Sequence, residues 1–278
     1  MLEILKVGHC WHPEAMILRN CSLKKMQFPA YVGLLQHPSK GFMLFDTGYA
    51  KRFIDETHFS PEIAYRWITP MQLGCKEHLI SQLSSKGIAP SDIKYIFISH
   101  FHADHISGLL DFPDAKYLCS KLAYQDIIQR GRLSGLLKGY LKKLIPLDFH
   151  KRCIFIEELK KINLLPSLSP FIDGYDIFRD GSLIAISLPG HAAGQYGLFC
   201  VDSEQGIFLV GDAAWTKDAY EKNIYPNPLA YLIMESRKRY IETLDNLSQL
   251  YASGHGIKII PSHCEISAAE YISSHEDR

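Results

Sequence analysis

The 278-residue chain is 47% hydrophobic and 22% charged, with 30 basic against 30 acidic side chains and a formal net charge of zero, as in an ordinary soluble globular protein. A sequence-independent grip on nucleic acid needs a basic excess that is missing here. The longest apolar runs, such as Leu183–Pro189, are far too short to span a bilayer, and the segment from Met1 to Cys10 lacks the basic and apolar regions of a secretory signal.

Short apolar runs bounded by glycine, proline or aspartate predict buried strands at Tyr31–Leu35, Phe42–Phe45, Tyr95–Ile98, Lys116–Leu118, Leu183–Leu188, Gly197–Val201, Ile207–Val210 and Lys258–Ile260. Between them, Lys76–Lys86 places Leu79, Ile80 and Leu83 on one helical face. Leu229–Ala252 predicts the longest helix, after Pro226 and Pro228 and ending at Gly254. Strands mixed with helices in this order imply sheets covered by helices. Residues 121–171 are basic, poor in strand signals before Cys153–Ile156, and carry Pro146, Pro166 and Pro170. They read as an insertion over the active-site end of a single domain spanning 1–278.

Within that insertion, Leu133, Leu136, Leu137, Tyr140, Leu141 and Leu144 follow helical spacing, with Lys138, Lys142 and Lys143 largely opposite. Gly135 and Gly139 each weaken such a helix by roughly 1 kcal/mol relative to alanine. Two readings stand: an ordinary core helix, or a movable cover whose Leu137 and Tyr140 contact an acyl chain.

Seven cysteines, an odd number with wide spacing and no C-x-x-C, argue against a disulfide framework and a cysteine zinc site. They read as reduced thiols of a cytoplasmic protein. The thirteen histidines are more informative because they cluster. After the strand ending at Ser99 come His100, His102, Asp104 and His105, spaced H-x-H-x-D-H. Imidazole nitrogen and carboxylate oxygen suit transition metals. His100 and His102 alternate and can share a direction, whereas Asp104 and His105 are displaced by the turn and can face a second ion, so one loop can serve two metals. His9, His12, His37, His58, His78, His150 and His275 have no comparable context and read as surface or structural residues.

This motif, followed by Gly190-His191, Asp212 after Phe208–Gly211, and His263 after Ile259–Ser262, with Asp46-Thr47-Gly48 upstream, resembles the metallo-β-lactamase superfamily from Phe42 to Cys264. The resemblance implies an α/β, four-layer αββα sandwich with a helical insertion and two transition-metal ions per chain, zinc first, with iron or manganese as alternatives. It implies that His100, His102 and His191 bind one ion, Asp104, His105 and His263 the other, and that Asp212 bridges them. His255 is the rival to His263. Asp46 reads either as a turn former or as a residue orienting the ligand loops by hydrogen bonds.

The segments Phe28–Gly48 and Gly211–Lys217 look like the N-acyl-homoserine lactonase group. There a tyrosine three residues after the bridging aspartate hydrogen-bonds the lactone carbonyl; this chain has Trp215, and Tyr220 or Tyr225 is the substitute to test. The implied activity is hydrolysis of a small-molecule ester-like bond, a lactone first, through a hydroxide shared by both ions, with Asp104 helping to move its proton. The alternatives are a thioester hydrolase of the glyoxalase II type, whose second histidine position is Gln195 here, and a metal-containing ligand-binding or regulatory protein on the same fold. The expected partner is a small-molecule substrate, with no nucleic acid and no membrane. Self-association as a homodimer is left open.

Overall fold

The computed structural model describes residues 1–17, 22–201 and 206–276, and Cys21 therefore lies outside the described residues. The chain divides into two compact units. The first comprises Met1–His12, Lys25–Cys119 and Tyr124–Ile154; the second comprises Pro13–Lys24, Ser120–Ala123 and Phe155–Arg278. The stretch 121–171 is thus divided between them.

The first unit carries a seven-stranded sheet: β1 (Leu2–Pro13), β2 (Lys25–His37), β3 (Gly41–Phe45), β4 (Met71–Gln72), β5 (Ile93–Phe97), β6 (Lys116–Cys119) and β7 (Cys153–Phe155), in the order β4-β1-β2-β3-β5-β6-β7. The β2–β3 pair is antiparallel, but β3, β5 and β6 are mutually parallel neighbours. The carboxyl ends of β3 and β5 therefore leave the sheet at one edge, and Asp46 and His100 follow them directly. Phe45 and Phe97 pair across this parallel seam with rings stacked at 5.5 Å.

The second unit carries a six-stranded sheet: β8 (Lys160–Asn163), β9 (Asp173–Asp176), β10 (Leu183–Ser187), β11 (Tyr196–Cys200), β12 (Ile207–Gly211) and β13 (Lys258–Pro261), ordered β13-β12-β11-β10-β9-β8. Every residue of β11 and β12 is buried, as continuous apolar runs covered on both faces require. Strand β12 is parallel to β13 and antiparallel to β11, which is antiparallel to β10. The carboxyl ends of β10, β12 and β13 accordingly share an edge, and His191, Asp212 and His263 follow there.

All eight strands expected from apolar runs are present; seven agree within a residue or two at each end, and the expected Tyr31–Leu35 strand is longer, running from Lys25 to His37. Two helical expectations change. The span Leu229–Ala252 is not one helix: a 3₁₀ turn at Pro228–Leu232 precedes the helix Arg237–Ala252, whose start is fixed by Ser236, its Oγ accepting from the Arg239 amide at 3.4 Å. The expected helix from Arg132 to Leu144 stops at Leu136. Gly139 adopts φ +74° and the Tyr140 amide donates to the Gly135 carbonyl at 2.9 Å, the left-handed termination that glycine favours. The apolar residues beyond it therefore turn away from those before it. Leu137 is 76% exposed, whereas Tyr140 is buried and its hydroxyl donates to Asp126 at 3.1 Å. The two do not form one apolar face.

Candidate metal centre

In the first unit, the donors sit in a loop clamped by the Asp46-Thr47-Gly48 turn. The Asp46 amide donates to the Phe97 carbonyl and the Thr47 amide to the His105 carbonyl, both at 2.8 Å. Thr47 Oγ1 donates to the same His105 carbonyl at 2.9 Å and accepts from the Gly108 amide at 3.0 Å. A Cβ at Gly108 would stand 3.0 Å from that of Thr47, so any larger residue there would have to push the clamp apart.

Asp46 is 1% exposed and takes φ +60°, a region open to aspartate at modest cost. That conformation aims its carboxylate at the ligand loop. Oδ1 accepts from the Ser99 amide at 2.8 Å. Oδ2 accepts from Ser99 Oγ and from His105 Nδ1, both at 2.7 Å. Because the Ser99 hydroxyl donates to Asp46, its oxygen is left to accept from His100 Nδ1 at 3.0 Å. One carboxylate thus fixes the protons of two imidazoles on Nδ1 and leaves Nε2 of each as the lone-pair donor. The rings of His100 and His102 lie 4.5 Å apart, those of His100 and His105 4.0 Å. Asp104, the least buried member, stands 3.8 Å from His105 Nε2, on the short helix Ala103–Ile106.

Gly139 lies against this loop. Its carbonyl accepts from the Ala103 amide at 3.3 Å, and a Cβ there would reach within 3.1 Å of His102 Cδ2. The Tyr140 ring follows at 5.7 Å from that of His102.

In the second unit, Asp212 is the centre. Its Oδ2 stands 3.2 Å from His191 Nε2, and its Oδ1 stands 3.1 Å from His263 Nε2. All three side chains are at most 5% exposed. Gly190, at φ +127°, brings His191 close to the helix Arg237–Ala252; a Cβ there would fall 2.1 Å from the Tyr240 nitrogen. The amides of Glu235 and Ser236 donate to the His191 and Gly190 carbonyls, each at 2.9 Å. Trp215 donates its indole N–H to Asp212 Oδ2 at 3.0 Å and meets the His191 ring edge-on at 5.7 Å.

The structure therefore places every histidine and aspartate expected as a ligand at the edge where its strand ends, and joins them within each unit. His255, in contrast, lies in the exposed turn before β13. The expected substrate contacts fare differently. Tyr220 directs its hydroxyl to the Ile259 carbonyl at 3.1 Å, and Tyr225 directs its own to Asp245 at 2.8 Å, so both phenols serve the fold. Leu137 is exposed, Tyr140 is held by Asp126, and Trp215 faces Asp212. Sequence reasoning did not assign the contacts that Ser99, Gly139 and Tyr240 make around the histidines. The first was legible in its position between a strand and His100; the other two act through folding contacts that leave no local signal.

The metallo-beta-lactamase superfamily model matches residues 27–255. The chain is 26% identical over 249 residues to an N-acyl homoserine lactonase, AttM, of Rhizobium radiobacter, covering 85% of this chain and 82% of that one. It is 25% identical over 268 residues to the N-acyl homoserine lactonase AiiA of Bacillus thuringiensis subsp. kurstaki, covering 92% and 93%. Among solved structures, a B. thuringiensis AiiA variant with N-decanoyl-L-homoserine bound at the active site superposes with a TM-score of 0.71 at 19% identity, covering 97% of this chain and 95% of that chain. The dizinc quorum-quenching lactonase AidC, in complex with a product, gives 0.65 at 17% identity, covering 95% and 87%. The match extends over most of the chain and includes each of the donor-bearing loops up to Asp212: this protein belongs to the metallo-beta-lactamase superfamily and has its fold.

Proposed function

We propose that this chain is a dinuclear metal-dependent hydrolase of a small-molecule ester-like bond, with a lactone as the first substrate class. His100, His102 and His191 would hold one ion, Asp104, His105 and His263 the other, and Asp212 would serve both. The observation that carries this reading is the Asp212 carboxylate, with one histidine Nε2 beside each of its oxygens at 3.1 and 3.2 Å. A buried carboxylate flanked in this way by two imidazoles is the donor chemistry of a shared ligand. The tautomers fixed by Asp46 and Ser99 fit the same use, because they leave His100 and His105 with Nε2 as donor. The imidazole-rich set favours zinc over manganese or iron.

A pair of such ions supplies Lewis acidity for hydrolysis at neutral pH. The chain's own groups supply the rest. Asp104, at 16% side-chain exposure the most accessible of the three carboxylates, takes the proton released when water adds to the acyl carbon and passes it to the departing oxygen. Asp46 keeps the ligand loop in place through Ser99 and His105. Gln195, which stands where thioesterases of the glyoxalase II type carry a second histidine, donates its amide to the Val210 carbonyl at 3.2 Å and serves the fold, so the thioester reading gains no support.

Among the described residues no helix is long and apolar enough to cross a membrane, and the described cysteines are free thiols, which suits the reducing cytoplasm that we infer. The test is to assay the metal-loaded protein on acyl-homoserine lactones, simple lactones and glutathione thioesters side by side, with elemental analysis of the same samples. We expect two transition-metal ions per chain and the highest kcat/KM on a lactone, and loss of metal together with activity in His102→Ala. Preference for the thioester overturns the substrate class; two bound ions with no turnover on any member of the panel favours a ligand-binding role.

A further inference from the structure

The tryptophan three residues after Asp212 has a partner that decides what it does. Trp215 is 7% exposed, and its only hydrogen-bond donor, the indole N–H, lies 3.0 Å from Asp212 Oδ2. Its ring is wedged edge-on against His191 at 5.7 Å and tilted against Tyr240 at 6.5 Å. Tyr240 is itself fully buried on the helix that packs against Gly190. The indole therefore cannot swing its N–H toward a substrate without breaking a bond to a buried carboxylate and unpacking two rings. It also singles out one oxygen: Oδ2, which faces His191, receives the indole N–H, whereas Oδ1 faces His263.

We infer that Trp215 is the positioning residue of Asp212 and not a substrate contact: its N–H holds the carboxylate so that each oxygen presents to its own histidine, and it sets unequal affinities at the two metal positions. A hydrogen bond to a ligating carboxylate from behind fixes its orientation, and loss of such a bond typically costs 10- to 100-fold in metal affinity. Because only Oδ2 receives this bond, its loss falls on the position next to His191. The inference rests on the dinuclear reading above.

The test is Trp215→Phe, which keeps an aromatic ring and deletes the N–H. Zinc affinity is measured by chelator competition on stripped protein, and steady-state kinetics on a lactone are measured at saturating zinc. We expect one of the two equivalents to bind roughly 10- to 100-fold more weakly, the other to bind as in the wild type, and KM at saturating zinc to be unchanged. A raised KM with both zinc affinities intact overturns the inference and makes Trp215 a substrate contact. Unchanged KM and unchanged affinities overturn it as well.

A measurement on the wild-type protein keeps the question open to refutation if the variant fails to fold. With [15N]tryptophan, the chain gives three indole resonances. The one from Trp215 is expected to stay downfield and slow to exchange as zinc is added, in contrast to that of Trp67, which is 73% exposed. Three rapidly exchanging indoles in the zinc-loaded protein overturn the inference. Wild-type protein that takes up no metal sinks the dinuclear reading, and this inference with it. Two bound ions with a Trp215→Phe variant indistinguishable from the wild type sink only the inference.

Discussion

Asp46→Asn separates two roles of one carboxylate. Replacing Asp46 by alanine would strand the Ser99 amide and His105 Nδ1 in a fully buried place, at about 1–3 kcal/mol each. It would also force alanine into the left-handed region at φ +60°, for about 1 kcal/mol more. The sum, about 3–7 kcal/mol, is a large share of the 5–15 kcal/mol that typically holds a domain together, so a loss of metal in that variant could follow from unfolding alone. Asparagine avoids both problems. It tolerates positive φ, and its carbonyl oxygen keeps the 2.8 Å bond from the Ser99 amide. What changes is the other arm, where an NH₂ group replaces the oxygen that accepts from Ser99 Oγ and His105 Nδ1 at 2.7 Å. His105 must then accept at Nδ1, and its proton moves to Nε2, the nitrogen needed for the metal. The expected result is a stripped protein destabilised by about 1 kcal/mol whose weaker zinc equivalent binds roughly 10- to 100-fold less tightly. Thermal unfolding of the stripped protein and chelator competition on the loaded protein measure the two effects separately. Asp46→Asn with both zinc affinities at wild-type values would refute the tautomer argument and leave Asp46 as a turn former.

Gly139→Ala should cost about 1–2 kcal/mol through its left-handed backbone and also lower zinc affinity, because the new Cβ would stand 3.1 Å from the His102 ring; a stability loss with unchanged affinity would show that the ring gives way freely. Tyr240→Phe removes a buried hydroxyl that has no hydrogen-bond partner among the described residues, so Tm should hold or rise by the equivalent of about 1 kcal/mol, and a clear fall in Tm would reveal a bond that the phenol makes in solution. Glu62 is held below the usual carboxylate range by its hydrogen bonds from Arg132. A depressed folded-state pKa contributes stability above the unfolded value and loses it as pH falls through the folded one, so Arg132→Ala should lower Tm slightly at pH 6–8 and not at all in strong acid; the partner is exposed and the effect small. An equal Tm difference at every pH would assign it to packing instead.

The positions of the candidate donors were legible because their chemistry and their strands coincide. His100, His191, Asp212 and His263 each follow a short apolar run, bounded by glycine, proline or aspartate, that reads as a buried strand, so the strand ends stand out in the sequence. Asp46 was legible as a turn but ambiguous in role, since a carboxylate before glycine forms turns everywhere; its function comes from Ser99, 53 positions away. The region after Arg132 shows where periodicity misleads. Leucines recur there at helical intervals through Leu144, yet Gly139 needs a positive φ, and one residue of that kind outweighs the pattern on either side. Trp215, Tyr220 and Tyr225 share one ambiguity. A side chain with one polar tip can turn toward a substrate or toward the fold, and its local sequence does not say which. In all three the tip meets a carboxylate or a backbone carbonyl of its own unit.

The turn between β2 and β3 lies at the other end of β3 from Asp46 and the His100–His105 loop. Pro38, Ser39 and Lys40 are exposed, and the pair His37 and Gly41 closes the hairpin behind them. Strand β3 then runs about 15 Å before it delivers Asp46 to the ligand loop. An epitope, a fluorophore or a surface-attachment tag inserted at Ser39 would hang from the far end of the sheet, its ends already brought together by the hairpin. The metal loop would be untouched, which makes this corner the natural handle for immobilising the protein while its metal chemistry is measured.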